Sequence, residues 1–280
     1  MDSESVNTMD SAALVEKLSE SRIAIYGTGY AADNFYRALQ IRGLERKAIC
    51  FAQTCTDEEK RTFKGLPVMS LDELSKTEDV LICLAVHEAI RDEIVKSFSE
   101  RQIDNYVWVH PNIFELALGC PVKRGADIKV RDIIRNQGRN NYYFAVRYLA
   151  IGNYFERNNY GFDLYLKVLK LQCEDVTAAK RLTKFRELIA NWVKYGYKEE
   201  SSILLDEKYR LIDGTHRTTL AFYLKQEYIK ADVFPASDHY YEVAKESDFL
   251  PADLLKKSGF KQEEINLMEA AQIEIWEMDG

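Results

Sequence analysis

The sequence predicts an α/β protein of two domains, the first built on a parallel sheet and the second of mixed α+β type. Between residues 22 and 119, apolar runs of strand length alternate with stretches of helical periodicity, which is typical of a parallel sheet covered by helices. After residue 172, a long helical stretch is followed by a hairpin, a second helix and a closing strand. The Gly-Cys-Pro sequence at 119–121 and the polar "VKRGAD" interrupt the alternation, so we place the domain boundary between residues 119 and 120.

The elements of the first domain follow from short sequence patterns. A helix is expected around Ser11–Leu18, and Tyr30–Ile41 has the spacing of an amphipathic helix. A further amphipathic helix is expected in "HEAIRDEIVKSF". The predicted strands, each an apolar run of suitable length, are "RIAIY", "KAICFA", "DVLICLAV" and "NYVWVH". Helices between successive strands favour parallel pairing.

The second domain begins with a helical, aromatic-rich insert at about 130–172. The next helix starts near Glu174 and ends at Gly196, because apolar residues recur on one face up to that glycine. These residues are Leu182, Phe185, Leu188, Ile189 and Trp192. "SSILLDEKYRLI" then predicts a β-hairpin, "IKADVF" predicts a strand, and two closing helices are expected at Asp253–Lys257 and Gln262–Ala270.

Composition narrows the classes of protein that the chain can represent. The chain has 280 residues, a formal net charge of −7 and a pI near 5.4, which argue against bulk nucleic acid as the main partner. Five cysteines without a Cys-x-x-Cys pair favour a reducing cytosol over a disulfide framework or a thiolate zinc site. No segment has the apolar core of a signal peptide, and no apolar run approaches the ~20 residues that span a bilayer. We therefore expect a cytoplasmic protein with no membrane partner.

One basic and aromatic segment, residues 131–157, differs from the acidic remainder of the chain. Its arginine and aromatic side chains suit a phosphorylated or sugar-like substrate. The same pattern is typical of an amphipathic stretch that packs in the core on one side and carries solvated charge on the other. The sequence leaves both interpretations open.

The stretch "LIDGTHRTTLAF" at 211–222 combines a tight turn with charged side chains at the start of a helix. Asp213 and Gly214 form the turn, Thr215 is a candidate N-cap, and an apolar helix face follows. Free N–H groups and the helix dipole favour a phosphate at such a point, and Arg217 can bind it through two parallel hydrogen bonds. The alternative is an ordinary surface turn in which His216 and Arg217 are only solvated.

A second glycine pattern, "YGTGYAADNF", places Gly27, Gly29 and Ala32 after the first strand and at the opening of a helix. This is the context of a dinucleotide-binding turn. The second strand, however, ends in "CFAQTC" without the acidic residue that binds a ribose diol, and Asp57 follows only in the loop. We therefore expect no NAD, and the alternative is that the glycines serve only the turn and close helix packing.

The first domain contains three motifs that carry a resemblance: "RIAIYGTGYAADNF", "GLPVMSLDEL" and "DVLICLAV". Residues 20–118 resemble the Rossmann-like domains at the front of nucleotide-sugar-modifying and acetyltransferase proteins of surface-polysaccharide pathways. The resemblance implies a Rossmann-like parallel sheet that binds a nucleotide sugar or serves as a structural module. Gly27, Gly29 and Ala32 would then form a second nucleotide site.

The second domain contains a longer pattern in two stretches, "EDVTAAKRLTKFRELIANWVKYGY" and "SILLDEKYRLIDGTHRTTLAFYLKQEYIKADVF". In order, the pattern is a Glu, a helix ending in Gly, a hairpin, Asp-Gly-x-His-Arg opening a helix, and a closing strand. This order of features resembles the ParB/sulfiredoxin-like fold over residues 174–234. The resemblance implies that Asp213–Arg217 holds the phosphates of a nucleotide. The fold includes CTP-binding DNA-segregation switches, ATP-using sulfinic acid reductases and free-serine kinases, so the fold alone does not select an activity.

Two of these activities fit the residues poorly. The reductase needs a cysteine where this chain has Thr215, and the acidic stretch after Phe234 is unsuited to the DNA-reading domain of the segregation proteins. In the kinases a Glu upstream of the first domain helix is the general base, and Glu174 matches that position. The alternative for Glu174 is a helix-start carboxylate that the dipole favours.

The resulting prediction is a small-molecule kinase that transfers phosphate from ATP or ADP, with Mg²⁺, to a hydroxyl of an amino acid or sugar-like acceptor in surface-polysaccharide biosynthesis. The predicted catalytic residues are Glu174, Asp213 and His216, with Asp213 also the candidate Mg²⁺ ligand. The predicted nucleotide-binding residues are Gly214, Thr215, His216, Arg217 and Thr218. The alternative is a non-catalytic regulator that senses a nucleotide and a nucleotide sugar. No sequence-specific nucleic acid is expected, and homo-oligomerisation is left open.

Overall fold

The computed structural model describes residues 9–55, 62–136, 141–197, 202–243 and 250–277. The chain divides into two compact units, Met1–Cys120 and Pro121–Gly280. This division falls one residue beyond the boundary that the sequence suggests. Each unit combines a β-sheet with helices, so the predicted α/β class is confirmed.

The first unit contains a six-stranded sheet and a set of helices. Its strands are β1 (Arg22–Tyr26), β2 (Ala48–Gln53), β3 (Thr62–Phe63), β4 (Leu66–Ser70), β5 (Val80–Leu84) and β6 (Tyr106–Trp108). Its helices are α1 (Ser11–Glu20), α2 (Tyr30–Ile41), α3 (Leu71–Leu74), α4 (Glu88–Ser99) and α5 (Ile113–Leu118). The predicted Tyr30–Ile41 helix is confirmed as α2, and "HEAIRDEIVKSF" is confirmed as α4, with His87 as its N-cap.

The strands of this sheet run in the order β3-β4-β2-β1-β5-β6. From β4 to β6 all neighbours pair in parallel, and the two-residue edge strand β3 pairs antiparallel with β4. β1 and β5 are buried along almost their whole length, as expected for central parallel strands covered on both faces. The chain changes direction across the sheet between β1 and β5, so the loops after these strands meet at one point of the carboxyl edge.

The first unit has a hydrophobic core of its own. Buried side chains from β1, β2, β5 and β6 pack with those of α3 and α4, and the core includes Tyr26, Phe98 and Trp108. The rings of Tyr26 and Phe98 pack edge to face with their centroids 5.1 Å apart. Removing side chains of this size from water contributes about 1.5–3 kcal/mol each, which stabilises the sheet against its helices.

The second unit contains a four-stranded sheet and a larger set of helices. Its strands are β7 (Lys123–Lys129), β8 (Ile203–Asp206), β9 (Leu211–Asp213) and β10 (Tyr228–Phe234). Its helices are α6 (Val130–Arg135), α7 (Tyr143–Tyr154), α8 (Gly161–Lys170), α9 (Asp175–Tyr195), α10 (Thr215–Tyr223), α11 (Tyr240–Val243), α12 (Ala252–Lys257) and α13 (Gln262–Glu277). The predicted helix ending at Gly196 is confirmed as α9, and the predicted hairpin as β8 and β9. In neither unit does a described helix combine the length and apolar character needed to cross a membrane.

The second sheet has the order β7-β10-β8-β9, with β8 and β10 parallel and the other two pairs antiparallel. The sequence marks the polar "VKRGAD" only as an interruption at the domain boundary and predicts no strand there, whereas most of these residues belong to β7. β7 is an edge strand in which only Ile128 is buried, and its sequence therefore has the polarity of a loop. Its pairing with β10 places it inside the fold of the second unit.

Helix α7 lies in the middle of the second unit. All its residues from Tyr143 to Gly152 are buried, and the helix packs against α8, α10 and α13. Arg147 is among the buried residues, with 1% of its surface exposed. This part of the basic and aromatic segment therefore packs in the core, as one interpretation expects, but residues 143–152 present no face with solvated charge, because neighbouring helices cover them.

Candidate functional site

The candidate site is built around the turn that joins β9 to α10. Pairing of β9 with β8 brings Asp213 opposite Leu204. Gly214 follows with φ +108°, and a Cβ at this position would lie 2.4 Å from Cγ2 of Ile203. Glycine alone accommodates both this backbone conformation and this close approach to β8. The sheet therefore fixes the point at which α10 begins.

Helix α10 has an N-terminus without a side-chain cap. The sequence suggests Thr215 as the N-cap, but Gly214 occupies that position and Thr215 is the first helical residue. Glycine has no side chain that can accept a hydrogen bond from the first turn. The N–H groups of that turn lack intrahelical acceptors and carry the positive end of the helix dipole. An anion bound here would receive hydrogen bonds and favourable charge together.

Arg217 is half-buried beside this N-terminus, with 20% of its side chain exposed. Its Nη1 donates a 2.9 Å hydrogen bond to the carbonyl oxygen of Ser202, and its Nη2 lies 3.6 Å from Oδ2 of Asp213. These contacts hold the guanidinium in place before any ligand arrives, so less rotamer entropy is lost on binding. The side chain of Asp213 is 53% exposed, which leaves its carboxylate accessible.

His216 packs against two helices that are distant in sequence. Its Nε2 shares a hydrogen bond with the hydroxyl of Tyr165 on α8. Its ring centroid lies 4.6 Å from that of Phe185 on α9 and 5.9 Å from that of Tyr165. Tyr165 and Phe185 are both buried. One wall of the site is therefore formed by α8 and α9.

Burial and positive charge both act on the imidazole of His216. Burial lowers its pKa well below the usual value, and the positive charges of Arg147, Arg181 and Arg217 lower it further. His216 is therefore neutral at physiological pH. A neutral imidazole adds no charge to those of the three arginines, and a positive site favours an anionic ligand.

Arg147 is a component of the site that the sequence analysis does not single out. Its Nη1 donates a 2.8 Å hydrogen bond to the carbonyl oxygen of Tyr143, one turn earlier on α7. Its guanidinium carbon lies 3.4 Å from the ring centroid of Tyr143 and 5.0 Å from that of Tyr165. Such cation–π contacts offset part of the cost of burying a charge. The available signal was a single charge within the apolar run "YYFAVRYLAIGNYF".

Two of the predicted nucleotide-binding side chains support the turn from within. Thr218 is fully buried, and its hydroxyl donates a 3.1 Å hydrogen bond to the carbonyl oxygen of Gly214. Thr215 is 7% exposed, and its carbonyl oxygen accepts a 2.8 Å hydrogen bond from the hydroxyl of Thr219. Thr215 thus offers a ligand its backbone N–H, and Thr218 stabilises the conformation of Gly214.

Glu174 lies at the exposed start of α9 and is its N-cap residue. Its carbonyl oxygen accepts a 2.9 Å hydrogen bond from the N–H of Ala178, while its side chain makes no capping hydrogen bond. Phe185, which contacts His216, follows eleven residues later, or roughly 16 Å along the helix axis at 1.5 Å per residue. Glu174 therefore lies at the exposed end of the helix whose Phe185 contacts His216, whereas Asp213 lies in the turn itself.

The described residues contain no cluster of three or more His, Cys, Asp or Glu side chains arranged to hold a metal ion. Asp213 contributes a single exposed carboxylate at the turn. One carboxylate fits Mg²⁺ bound mainly by phosphate oxygens and water, which is the usual mode for this ion at nucleotide sites.

The glycine turn of the first unit lies at the carboxyl end of β1. Gly27 has φ +117°, and a Cβ at this position would lie 3.2 Å from the carbonyl oxygen of Ala85, which follows β5. Gly29 is the N-cap of α2, and Ala32 is fully buried on that helix. The structure therefore places Gly27 and Gly29 at the carboxyl edge of the sheet and Ala32 in the core.

The carboxyl end of β2 is where a ribose-binding acid would lie. β2 ends at Gln53, whose Nε2 donates a hydrogen bond to the hydroxyl of Thr28 in the glycine turn. Asp57 lies outside the described residues. Two histidines without a sequence signal, His87 after β5 and His110 after β6, lie at the same edge with ring centroids 5.3 Å apart. In the described residues, this edge thus carries two imidazoles and an amide.

Comparison of the chain with protein-family models, with curated proteins and with solved structures finds no match.

Proposed function

We propose that the second unit binds the phosphates of a nucleotide at Asp213–Arg217 and transfers a phosphoryl group from ATP or ADP to a hydroxyl of an amino acid or sugar-like acceptor. The observation that carries the proposal is the N-terminus of α10 without a side-chain cap, with the guanidinium of Arg217 held beside it by Ser202 and Asp213. Both features favour a phosphate. An ordinary surface turn would leave Arg217 solvated, whereas here Ser202 holds its guanidinium at 2.9 Å.

Phosphoryl transfer requires mainly positioning and charge neutralisation from a protein. The oxygen of the acceptor hydroxyl attacks the terminal phosphorus, the bond from that phosphorus to the bridging oxygen breaks, and the nucleotide leaves with one phosphoryl group fewer. The N–H groups of Thr215 and His216, together with Arg217, bind the phosphate oxygens. Mg²⁺ bound with the nucleotide at Asp213 would neutralise further phosphate charge.

The hydroxyl proton needs a carboxylate base. Glu174 is the proposed base, because it occupies the position of the catalytic Glu in the kinases that the motif resembles. Asp213 is the second candidate, because its exposed carboxylate lies at the turn. Each gives up the proton to solvent after transfer, so either restores the starting state.

The architecture of the two units supports this assignment. The parallel order β4-β2-β1-β5-β6 supports a Rossmann-like first unit. The hairpin β8–β9, helix α10 and a closing strand β10 parallel to β8 support a ParB/sulfiredoxin-like second unit. A role in surface-polysaccharide biosynthesis rests on the resemblance of the first unit, and the cytoplasmic location rests on the cysteine pattern of the sequence; both are parts of the proposal.

The second candidate function is a non-catalytic regulator that senses a nucleotide in the second unit and a nucleotide sugar in the first. Two observations favour it: the exposed position of Glu174 at the start of α9, and the glycine turn at the carboxyl edge of the first sheet. A regulator needs the phosphate-binding groups but no base.

The test measures nucleotide binding and product formation in parallel. The protein is titrated with ATP, ADP and CTP in the presence of Mg²⁺. It is then incubated with pooled hydroxylated amino acids and sugars, and phosphorylated products are identified by mass spectrometry. Arg217→Ala should weaken binding at least about tenfold, because a charge-assisted hydrogen bond of about 1.5–3 kcal/mol is lost.

Substitution of the proposed base separates binding from chemistry. Glu174→Gln keeps the size of the side chain but accepts no proton, so affinity should hold while turnover falls about 10²–10⁴-fold. His216→Ala should lower both, and Glu187→Gln, on the exposed face of the same helix, should lower neither. Normal turnover in Glu174→Gln would move the role of base to Asp213. Binding without product supports the regulator, and absence of nucleotide binding overturns both candidates.

A further inference from the structure

Arg181 lies on α9, whereas Arg217 lies on α10. Arg181 precedes Phe185 by four residues, and residues four apart share one face of a helix. The ring of Phe185 lies 4.6 Å from that of His216. Arg181 therefore borders the site on its α9 side.

The guanidinium of Arg181 is available to a ligand. Its side chain is half-buried, and within the described part of the chain no carboxylate or carbonyl oxygen forms an ion pair or hydrogen bond with it. By contrast, Arg217 is held by Ser202, and Arg186 lies over the ring of Phe162 at 4.6 Å. The charge of Arg181 nevertheless reaches His216, where it contributes to the lowered pKa.

We propose that Arg181 binds a second phosphoryl group of the nucleotide, so that the site selects nucleoside diphosphates and triphosphates over monophosphates. Arg217 lies on α10, and Arg181 lies on the face of α9 that carries Phe185, whose ring contacts His216. Each guanidinium prefers its own pair of oxygens in a bidentate contact. One phosphoryl group satisfies the α10 N-terminus and Arg217. A second phosphoryl group gives Arg181 its own pair of oxygens for a bidentate contact. This inference rests on the proposed nucleotide site.

The test compares mono- and diphosphates in two base series. The intact chain is titrated calorimetrically with AMP, ADP, CMP and CDP. The wild-type protein should prefer the diphosphate of at least one base by about tenfold or more. Arg181→Gln should weaken diphosphate binding about tenfold, as expected for one lost charge-assisted contact, and should change monophosphate binding by no more than about twofold.

Three controls define the result. Arg186→Gln removes a charge from the exposed face of the same helix and should leave all four affinities unchanged. Arg217→Gln should weaken mono- and diphosphates alike. Arg181→Lys keeps the positive charge but lacks the planar guanidinium, so it should retain part of the diphosphate affinity that Arg181→Gln loses. In Arg181→Gln the pKa of His216, followed by NMR, should rise toward its usual value without any ligand, because one positive charge is removed.

Wild-type diphosphate affinity in a folded Arg181→Gln protein, or equal losses for mono- and diphosphates, would overturn the inference and leave the nucleotide site intact. If the wild-type protein binds none of the four nucleotides, the proposed function fails, and the inference fails with it.

Discussion

At the scale of single residues, the charge state of His216 determines how the site can work. A protonated imidazole here would add a fourth positive charge to those of Arg147, Arg181 and Arg217. The ring instead stays neutral and shares a hydrogen bond with Tyr165. A neutral histidine can donate one hydrogen bond to a ligand from its remaining nitrogen, because Tyr165 can donate to Nε2 and leave the proton on Nδ1. The arginines thus provide positive charge, and His216 provides a hydrogen-bond donor of fixed orientation.

The lowered pKa of His216 predicts a loss of stability in acid. Because the folded state resists protonation, the unfolded state binds more protons below about pH 6.5, and the free energy of unfolding falls as the pH falls. The contribution of His216 is fully present above that pH. Between about pH 7.5 and about pH 5.5 it should fall by up to about 1.4 kcal/mol. Urea denaturation at both pH values measures the difference.

The matched variants for this measurement are His216→Gln and His239→Gln. The first should lose less stability between the two pH values than the wild-type protein, since its side chain does not titrate. His239 is exposed and pairs with Glu242, so His239→Gln should show the wild-type dependence. An identical pH dependence in wild-type and His216→Gln proteins would contradict the assignment.

At the scale of elements, the hairpin β8–β9 carries the turn to its place, and Asp206 closes that hairpin. The carboxylate is 1% exposed and accepts hydrogen bonds from the N–H groups of Lys208 and Arg210 at 3.0 and 2.8 Å. It also pairs with Nε of Arg210 at 2.7 Å. The guanidinium of Arg210 lies over the ring of Tyr240, whose hydroxyl donates to the carbonyl oxygen of Leu211. One buried carboxylate thus organises the whole hairpin.

We expect Asp206→Ala to lower the free energy of unfolding by about 3 kcal/mol, because it removes the buried acceptor of two backbone N–H groups and of the half-buried guanidinium of Arg210. Asp127→Ala is the control. Asp127 forms an ion pair with Lys230 at 2.9 Å, and the side chain of Asp127 is 60% exposed. Loss of this ion pair should therefore lower the free energy of unfolding by no more than about 1 kcal/mol. Denaturant unfolding of the two variants makes the comparison, and equal losses would show that Asp206 does not close the hairpin.

An element is predictable from the sequence when local signals determine it, and it is not when contacts between distant residues determine it. α2 and α9 were predictable because helical periodicity and the terminal Gly196 are local signals. β7 was not, because an exposed edge strand has the composition of a loop. The turn at Gly214 is also local, but the wall around His216 depends on tertiary packing. Tyr165 and His216 are 51 residues apart, and no short pattern encodes their contact.

At the scale of the whole molecule, each unit has its own sheet and its own core. The described core residues of the second unit come from α6 to α10 and from its four strands, with α12 and α13 closing it. Every residue of the candidate phosphate site belongs to Pro121–Gly280, and the glycine turn belongs to Met1–Cys120. A unit with a complete core can fold without the rest of the chain. The two ligand sites should therefore be separable.

We expect the fragments 1–120 and 121–280, expressed separately, each to unfold cooperatively. Fragment 121–280 should bind nucleotide within about threefold of the intact chain, because every residue assigned to the candidate phosphate site lies in it. Calorimetric titration of both fragments checks this. Arg217→Ala in fragment 121–280 is the control and should weaken binding as it does in the intact chain. Fragment 1–120 should show no micromolar affinity for NAD, because β2 ends at Gln53 rather than at an acid. Loss of nucleotide binding in a folded fragment 121–280 would mean that the first unit contributes to the site.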